Sequence, residues 1–129
     1  MIISTALSDL MTQSGVAFGT SGARGEVTAM TDGICFSYTI GFLQYLSRQG
    51  EFAAGKRVAL AGDLRESTPR ILAACVAAIR SLGGEPVFCG YVPTPALAAY
   101  AFAQRIPSLM VTGSHIPDDR NGIKFGGVT

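Results

Sequence analysis

The chain has 129 residues, a length that suits one compact domain and leaves little room for a second. Apolar residues make up 48% and charged residues 15%, which favours a buried core and argues against disorder. Net charge is +1 with the basic residues scattered, so no footprint for nucleic acid or an acidic membrane is expected, and any bound phosphate must be held by local donors.

Cys35, Cys75 and Cys89 are far apart, sit in apolar sequence and have no metal-ligand spacing. They read as small buried hydrophobes of a reducing compartment. The first fifteen residues, MIISTALSDLMTQSG, lack the basic segment and sustained apolar core of a signal peptide. No apolar run is long enough to span a bilayer. A cytoplasmic protein that binds neither membrane nor nucleic acid is the expectation.

Residues 1–15 form a poorly specified lead-in, with strand character at Ile2 and Ile3. Residues 17–27, AFGTSGARGEV, then combine Gly19, Gly22 and Gly25 with the hydroxyls of Thr20 and Ser21 and the guanidinium of Arg24. Glycines let backbone N–H groups approach an anion closely, and they equally suit a flexible tight turn. No Gly-Lys-Ser/Thr follows, so this is not a Walker loop. Residues 31–49 alternate like a strand at Ile34, Phe36, Tyr38, Ile40 and Phe42. They also place Cys35, Tyr38, Phe42, Tyr45 and Leu46 on one helical face. Length, Thr31 and Asp32 as cap candidates, and Gly50 after the last turn favour helix.

The apolar run at 57–61, RVALA, predicts a buried strand. A helix follows GDLREST, with Thr68 as N-cap, Pro69 at its first position, Gly83 past its end, and a stripe of Ile71, Leu72, Cys75, Val76, Ile79 and Leu82. Residues 86–89 predict the next strand. Thr94-Pro95 repeats the capping device and starts a helix through Gln104. A strand at 108–111 follows, and a short return strand at 123–125. Helix and strand alternate, which argues for a mainly parallel α/β sheet of about four strands covered by helices. The chain stops without a helix over the last strand, as if cut from a larger protein.

Between the last two strands lies the stretch richest in chemistry, VTGSHIPDDRNGIKF. It offers the hydroxyl of Ser114, the imidazole of His115, the rigid Pro117, the carboxylates of Asp118 and Asp119, a turn at Asn121-Gly122, and the ammonium of Lys124. Loops at the carboxyl ends of strands are where open α/β sheets bind ligands.

Four segments, FGTSGARG, GDLREST, PTPAL and TGSHIPDDRNGIKF, stand in the order in which they occur in the first domain of the phosphohexomutases, which the chain resembles over about residues 17–125. The resemblance implies that residues 1–129 form the first domain of a four-domain enzyme. Such an enzyme moves phosphate between the 1- and 6-oxygens of a hexose through a phosphoserine and a hexose 1,6-bisphosphate. It implies Ser114 as phosphate carrier, Lys124 as proton-transfer or charge-stabilising group, and His115 beside the serine as a donor to phosphate or sugar oxygen. Arg24, Ser21 and Thr20 would face phosphate. Mg2+ would be held by the phosphate on Ser114 and mostly by a loop of another domain. The partners implied are the hexose phosphate and the remaining domains, and the chain alone is expected to be inactive. Asp118, Asp119 and Arg120 are left as solvated charges. Two departures stand out: Gly113 replaces a frequent alanine, which should only loosen the loop, and Ile116 replaces the usual asparagine, removing an amide.

Three other readings remain open. The chain could be a non-catalytic phosphate-binding module, or an assembly domain with Tyr91, Tyr100 and Phe102 at an interface. A serine hydrolase is disfavoured because the single histidine adjoins the serine and no nucleophile elbow is present.

Overall fold

The computed structural model describes residues 17–19, 22–113 and 120–128, with the side chains of residues 17–19, 22 and 24 left outside the description. The strand character at Ile2 and Ile3 lies outside it. The elements are β1 (Ala17–Gly19), β2 (Gly22–Glu26), α1 (Asp32–Arg48), β3 (Arg57–Gly62), α2 (Thr68–Ser81), β4 (Glu85–Phe88), α3 (Thr94–Gln104), β5 (Ser108–Val111) and β6 (Arg120–Gly126). Among the described residues the strands form one sheet in the order β1-β2-β6-β5-β3-β4.

The expected parallel unit is present: β3 pairs in parallel with both β4 and β5, and α2 and α3 form the crossovers. The α/β class stands as expected. The strand count and direction need correction, because six strands replace about four and the β5–β6, β6–β2 and β2–β1 pairs are antiparallel. The additional strands are rich in glycine and charge, so they carry little of the apolar patterning by which a strand is read. Their strand state comes from pairing, locally between β1 and β2 and at long range between β2 and β6. The glycine-rich segment becomes the hairpin β1–β2, with Gly19 opposite Gly22.

The helical reading of residues 31–49 holds. Thr31 caps α1 by accepting the Ile34 N–H at 3.2 Å, and Cys35, Tyr38, Phe42, Leu43 and Leu46 are buried. Tyr45 falls off that face and is 42% exposed. The two Thr-Pro starts are shifted by one residue from expectation. Ser67 and Pro93 are the caps, neither makes a side-chain cap bond, and Thr68 and Thr94 are already helical. The Thr68 hydroxyl is taken by Asp63, as described below.

Side chains divide between two faces. On one, α1 and α2 pack on Val58, Leu60, Leu109, Val111, Ile123 and Ala23 to form the main core. Phe125 joins it, with its ring 4.7 Å from that of Phe42. On the other, α3 lays Leu97 and Ala101 on Ala59, Ala61 and Met110. Because Lys124 pairs with Met110, strand alternation puts it on this second, more lightly covered face. No helix among the described residues is long and apolar enough to cross a membrane.

Candidate active-site loop and its anchor

Neighbouring parallel strands β3 and β5 end side by side, and both release their chains at the same edge of the sheet. Asp63 follows β3 directly. Thr112 and Gly113 follow β5 and lead to residues 114–119, which return to the sheet at Arg120. The residues flanking this loop converge on the segment Asp63–Thr68.

Asp63 is the centre of that convergence. Its Oδ1 accepts the Thr68 hydroxyl at 2.7 Å and the Arg65 backbone N–H at 3.1 Å. Its Oδ2 accepts the Gly113 N–H at 2.9 Å and lies 3.3 Å from Arg65 Nε. Burial by itself would raise the carboxyl pKa. The hydrogen bonds from Thr68, Gly113, Arg65 and Thr112 outweigh it and hold the pKa below the ordinary value. Asp63 is therefore a carboxylate whose charge is spent on holding backbone, with its own N–H donating to the Val111 carbonyl at 2.9 Å. Gly62, just before it, has no room for a side chain: a Cβ would stand 2.5 Å from the Thr68 methyl.

The return leg is fixed by Asn121, which is fully buried. Its Nδ2 donates to Ser67 Oγ at 2.8 Å and Thr68 Oγ1 at 3.1 Å, and its Oδ1 accepts the Gly122 N–H at 2.8 Å. Asn121-Gly122 is thus a strand interior and not the expected turn. It pairs with Gly25 and Arg24 of β2, and the Gly122 carbonyl accepts the Thr112 N–H at 2.9 Å. A ladder on both sides overrides local turn preference. Proton donation runs from Asn121 through the Thr68 hydroxyl to Asp63, so one chain of hydrogen bonds joins both feet of the loop.

Arg65 lies across them. Its Nη1 donates to the Arg120 carbonyl at 3.4 Å while Nε faces Asp63, and its side chain is only 13% exposed. A Cβ on Gly113 would fall inside contact distance of the guanidinium Nε and Cζ. The glycine therefore does more than loosen the loop, because it leaves the space that Arg65 fills. A surface recess of about 400 Å³ opens beside this contact, lined by Asp63, Leu64, Arg65 and Glu66.

Ser114 and His115 lie outside the described residues, as do Thr20, Ser21, Ile116, Asp118 and Asp119. Arg24 has a described backbone position on β2, opposite Gly122, and a side chain outside the description. Lys124 stands two residues beyond Gly122 on β6 and is half-buried. Positions 24 and 124 are accordingly diagonal neighbours on adjacent strands. Arg120 is exposed, as a solvated charge would be.

Among the described residues no group of His, Cys, Asp or Glu could hold a metal ion. Asp63 has both oxygens engaged by Thr68, Arg65 and Gly113, so it is not a free metal ligand. Of the assembly-domain aromatics, Tyr91 and Phe102 are 50% and 76% exposed, and Tyr100 packs against the α3 core. Sequence reasoning gave Asp63, Arg65 and Ser67 no role of their own, and read Thr68 as a helix cap and Asn121 as a turn residue. The available signal was the density of polar groups in GDLREST immediately after an apolar strand.

The family profile described as phosphoglucomutase/phosphomannomutase, alpha/beta/alpha domain I, matches residues 15–128. A phosphomannomutase of Salmonella muenchen is 47% identical over 91% of this chain and 24% of its own length. A phosphoglucosamine mutase of Synechococcus is 39% identical over 88% of this chain and 24% of its own. The crystal structure of a phosphoglucomutase/phosphomannomutase family protein from Burkholderia thailandensis superposes with a TM-score of 0.75 at 29% identity, over 84% of this chain and 25% of that one. The chain thus spans about a quarter of the length of the curated relatives it matches. With four motifs in register, the mixed α/β sheet and a profile match over nearly its whole length, this chain belongs to the phosphoglucomutase/phosphomannomutase family, in the region of that family's first domain.

Proposed function

We propose that residues 1–129 are the first domain of a phosphohexomutase, which interconverts hexose 1-phosphate and hexose 6-phosphate with Ser114 as phosphate carrier. The observation that carries this reading is the binding of both feet of the 114–119 loop to one segment. The Gly113 N–H on Asp63 fixes the backbone immediately before the serine. Phosphoryl transfer depends chiefly on position and charge, and a carrier serine needs such a foothold. In the first half-reaction the phosphoserine O–P bond breaks as a bond from phosphorus to a sugar hydroxyl oxygen forms, giving the hexose 1,6-bisphosphate. The displaced sugar proton passes to a base. The second half-reaction returns the other phosphate to Ser114 after the sugar has turned over.

Lys124 is the group that holds charge or moves the proton, and its place on β6 supports this because a strand paired on both sides holds it rigidly. Arg24, one strand over, with Ser21, Thr20 and His115, holds phosphate oxygens. Magnesium would be held on this chain through the phosphate on Ser114, where it would supply neutralisation of phosphoryl charge. The enzyme works in the cytoplasm, its partners are the hexose phosphate and the other domains of the polypeptide, and the 129 residues alone do not turn over.

The test is steady-state mutase assay of the whole polypeptide with mannose, glucose and glucosamine phosphates. Ser114→Ala should abolish turnover, and Lys124→Ala should lower kcat by about a hundredfold or more, the scale of a lost acid–base or charge-stabilising group. Phosphate binding that survives Ser114→Ala, with no turnover by the parent chain, would support a non-catalytic phosphate-binding module in its place.

A further inference from the structure

We infer that Arg65 is a positioning residue for the 114–119 loop and that it works only because residue 113 has no side chain. Three observations meet here. The guanidinium occupies the volume that a Gly113 Cβ would take. The same group faces Asp63 Oδ2, which holds the Gly113 N–H, and reaches the Arg120 carbonyl at the far foot of the loop. The side chain is largely buried against these partners, 13% exposed, although it stands at the edge of the sheet. A planar guanidinium spreads its donors over three nitrogens and so reaches two acceptors set apart, whereas the three donors of an ammonium radiate from a single nitrogen.

Gly113 is not among the glycines with positive φ, so an alanine there meets no backbone strain. It would simply displace the guanidinium, the mobile end of a flexible side chain. Gly113→Ala and Arg65→Ala should therefore remove the same brace by different routes. This proposal rests on Ser114 as phosphate carrier only in its kinetic arm.

The experiment is a double-mutant cycle on the whole polypeptide with Arg65→Ala, Gly113→Ala and the pair, plus Arg65→Lys, read by hydrogen exchange and by kinetics. Each single change should speed exchange of residues 112–121 about tenfold, the scale of one charge-assisted hydrogen bond, with α2 and β3 still protected. The pair should be no worse than Arg65→Ala alone. In the kinetic arm kcat should fall with KM nearly unchanged, and lysine should restore only part of it. Unaltered exchange at 112–121, or single effects that multiply in the pair, would overturn the inference. If Arg65→Ala fails to fold, Gly113→Ala carries the exchange test alone. If the parent chain has no mutase activity, the proposed function falls, while the exchange cycle still decides the role of Arg65.

Discussion

Strands β3 and β5 are lined almost throughout by buried apolar side chains, whereas β2 and β6 bring glycines, arginines and a lysine to their ladders. The first pair belongs to the parallel half of the sheet, and burial alone accounts for it. The second belongs to the antiparallel half, and it holds strand form because a partner lies on each side. Residues 114–119 connect β5, in the first half, to β6, in the second. Their anchor is polar where the rest of the described interior, Thr39 apart, is apolar. The lesson is that the apolar half supplies stability and the seam between the halves supplies position.

Changes on each side of the seam should separate these two contributions. Leu60→Ala, at a fully buried site of β3, should cost about 3 kcal/mol in denaturant unfolding. A cost below about 1 kcal/mol would mean that the core is looser than its burial indicates. Asp63→Ala should cost about 2 kcal/mol, because it strands the Gly113 N–H and the Thr68 hydroxyl, and should speed hydrogen exchange in 112–121 more than in α2. Asn121→Ala removes two donors to Ser67 and Thr68 and should cost about 1–2 kcal/mol, with the same local signature.

The pH dependence sharpens the contrast. Folding lowers the Asp63 pKa, so its contribution is complete above the unfolded carboxylate value of about 4 and is lost as pH falls through the lower folded value. Asp63→Asn should flatten this acid limb in a urea series run from pH 5 downward. In the apolar half the sign reverses. Burial pushes the Cys75 thiol up to about 12, against the lowering effect of the Thr39 hydroxyl, and the Cys35 thiol up to about 11, against that of Arg70. Their contribution is complete below the unfolded thiol value of about 8.5 and is lost as pH rises through the folded values. The smallest effect is chemical: at pH 8 iodoacetamide should modify partly exposed Cys89 first and reach Cys35 and Cys75 only through unfolding, as peptide mass mapping would read.

The parallel half was legible because its signals are local. RVALA, Pro69 and Gly83 announce strand, helix start and helix end within a few residues of themselves. The antiparallel half was legible only at the return strand 123–125, since GARGE and the start of RNGIKFG match no strand pattern until they are paired. Asn121-Gly122 is a favoured turn dipeptide in isolation, and only Ser67, Thr68 and the flanking strands make it a buried strand. Thr68 read as a helix cap for the same reason, because its actual partner, Asp63, competes with the cap it could have made. Asp63 itself gives no local sign of its role. Its decisive contact is with Gly113, 50 residues away. The family was visible from four short motifs, while the residues that anchor the loop needed the fold.

The most direct measurement is mass spectrometry of the polypeptide purified from its source cells, digested to cover residue 114, before and after incubation with unlabelled hexose monophosphate. A phosphate on Ser114 that passes to the sugar on incubation is the predicted result. A Ser114 that is unmodified in the native protein and stays so with hexose 1,6-bisphosphate would contradict the account.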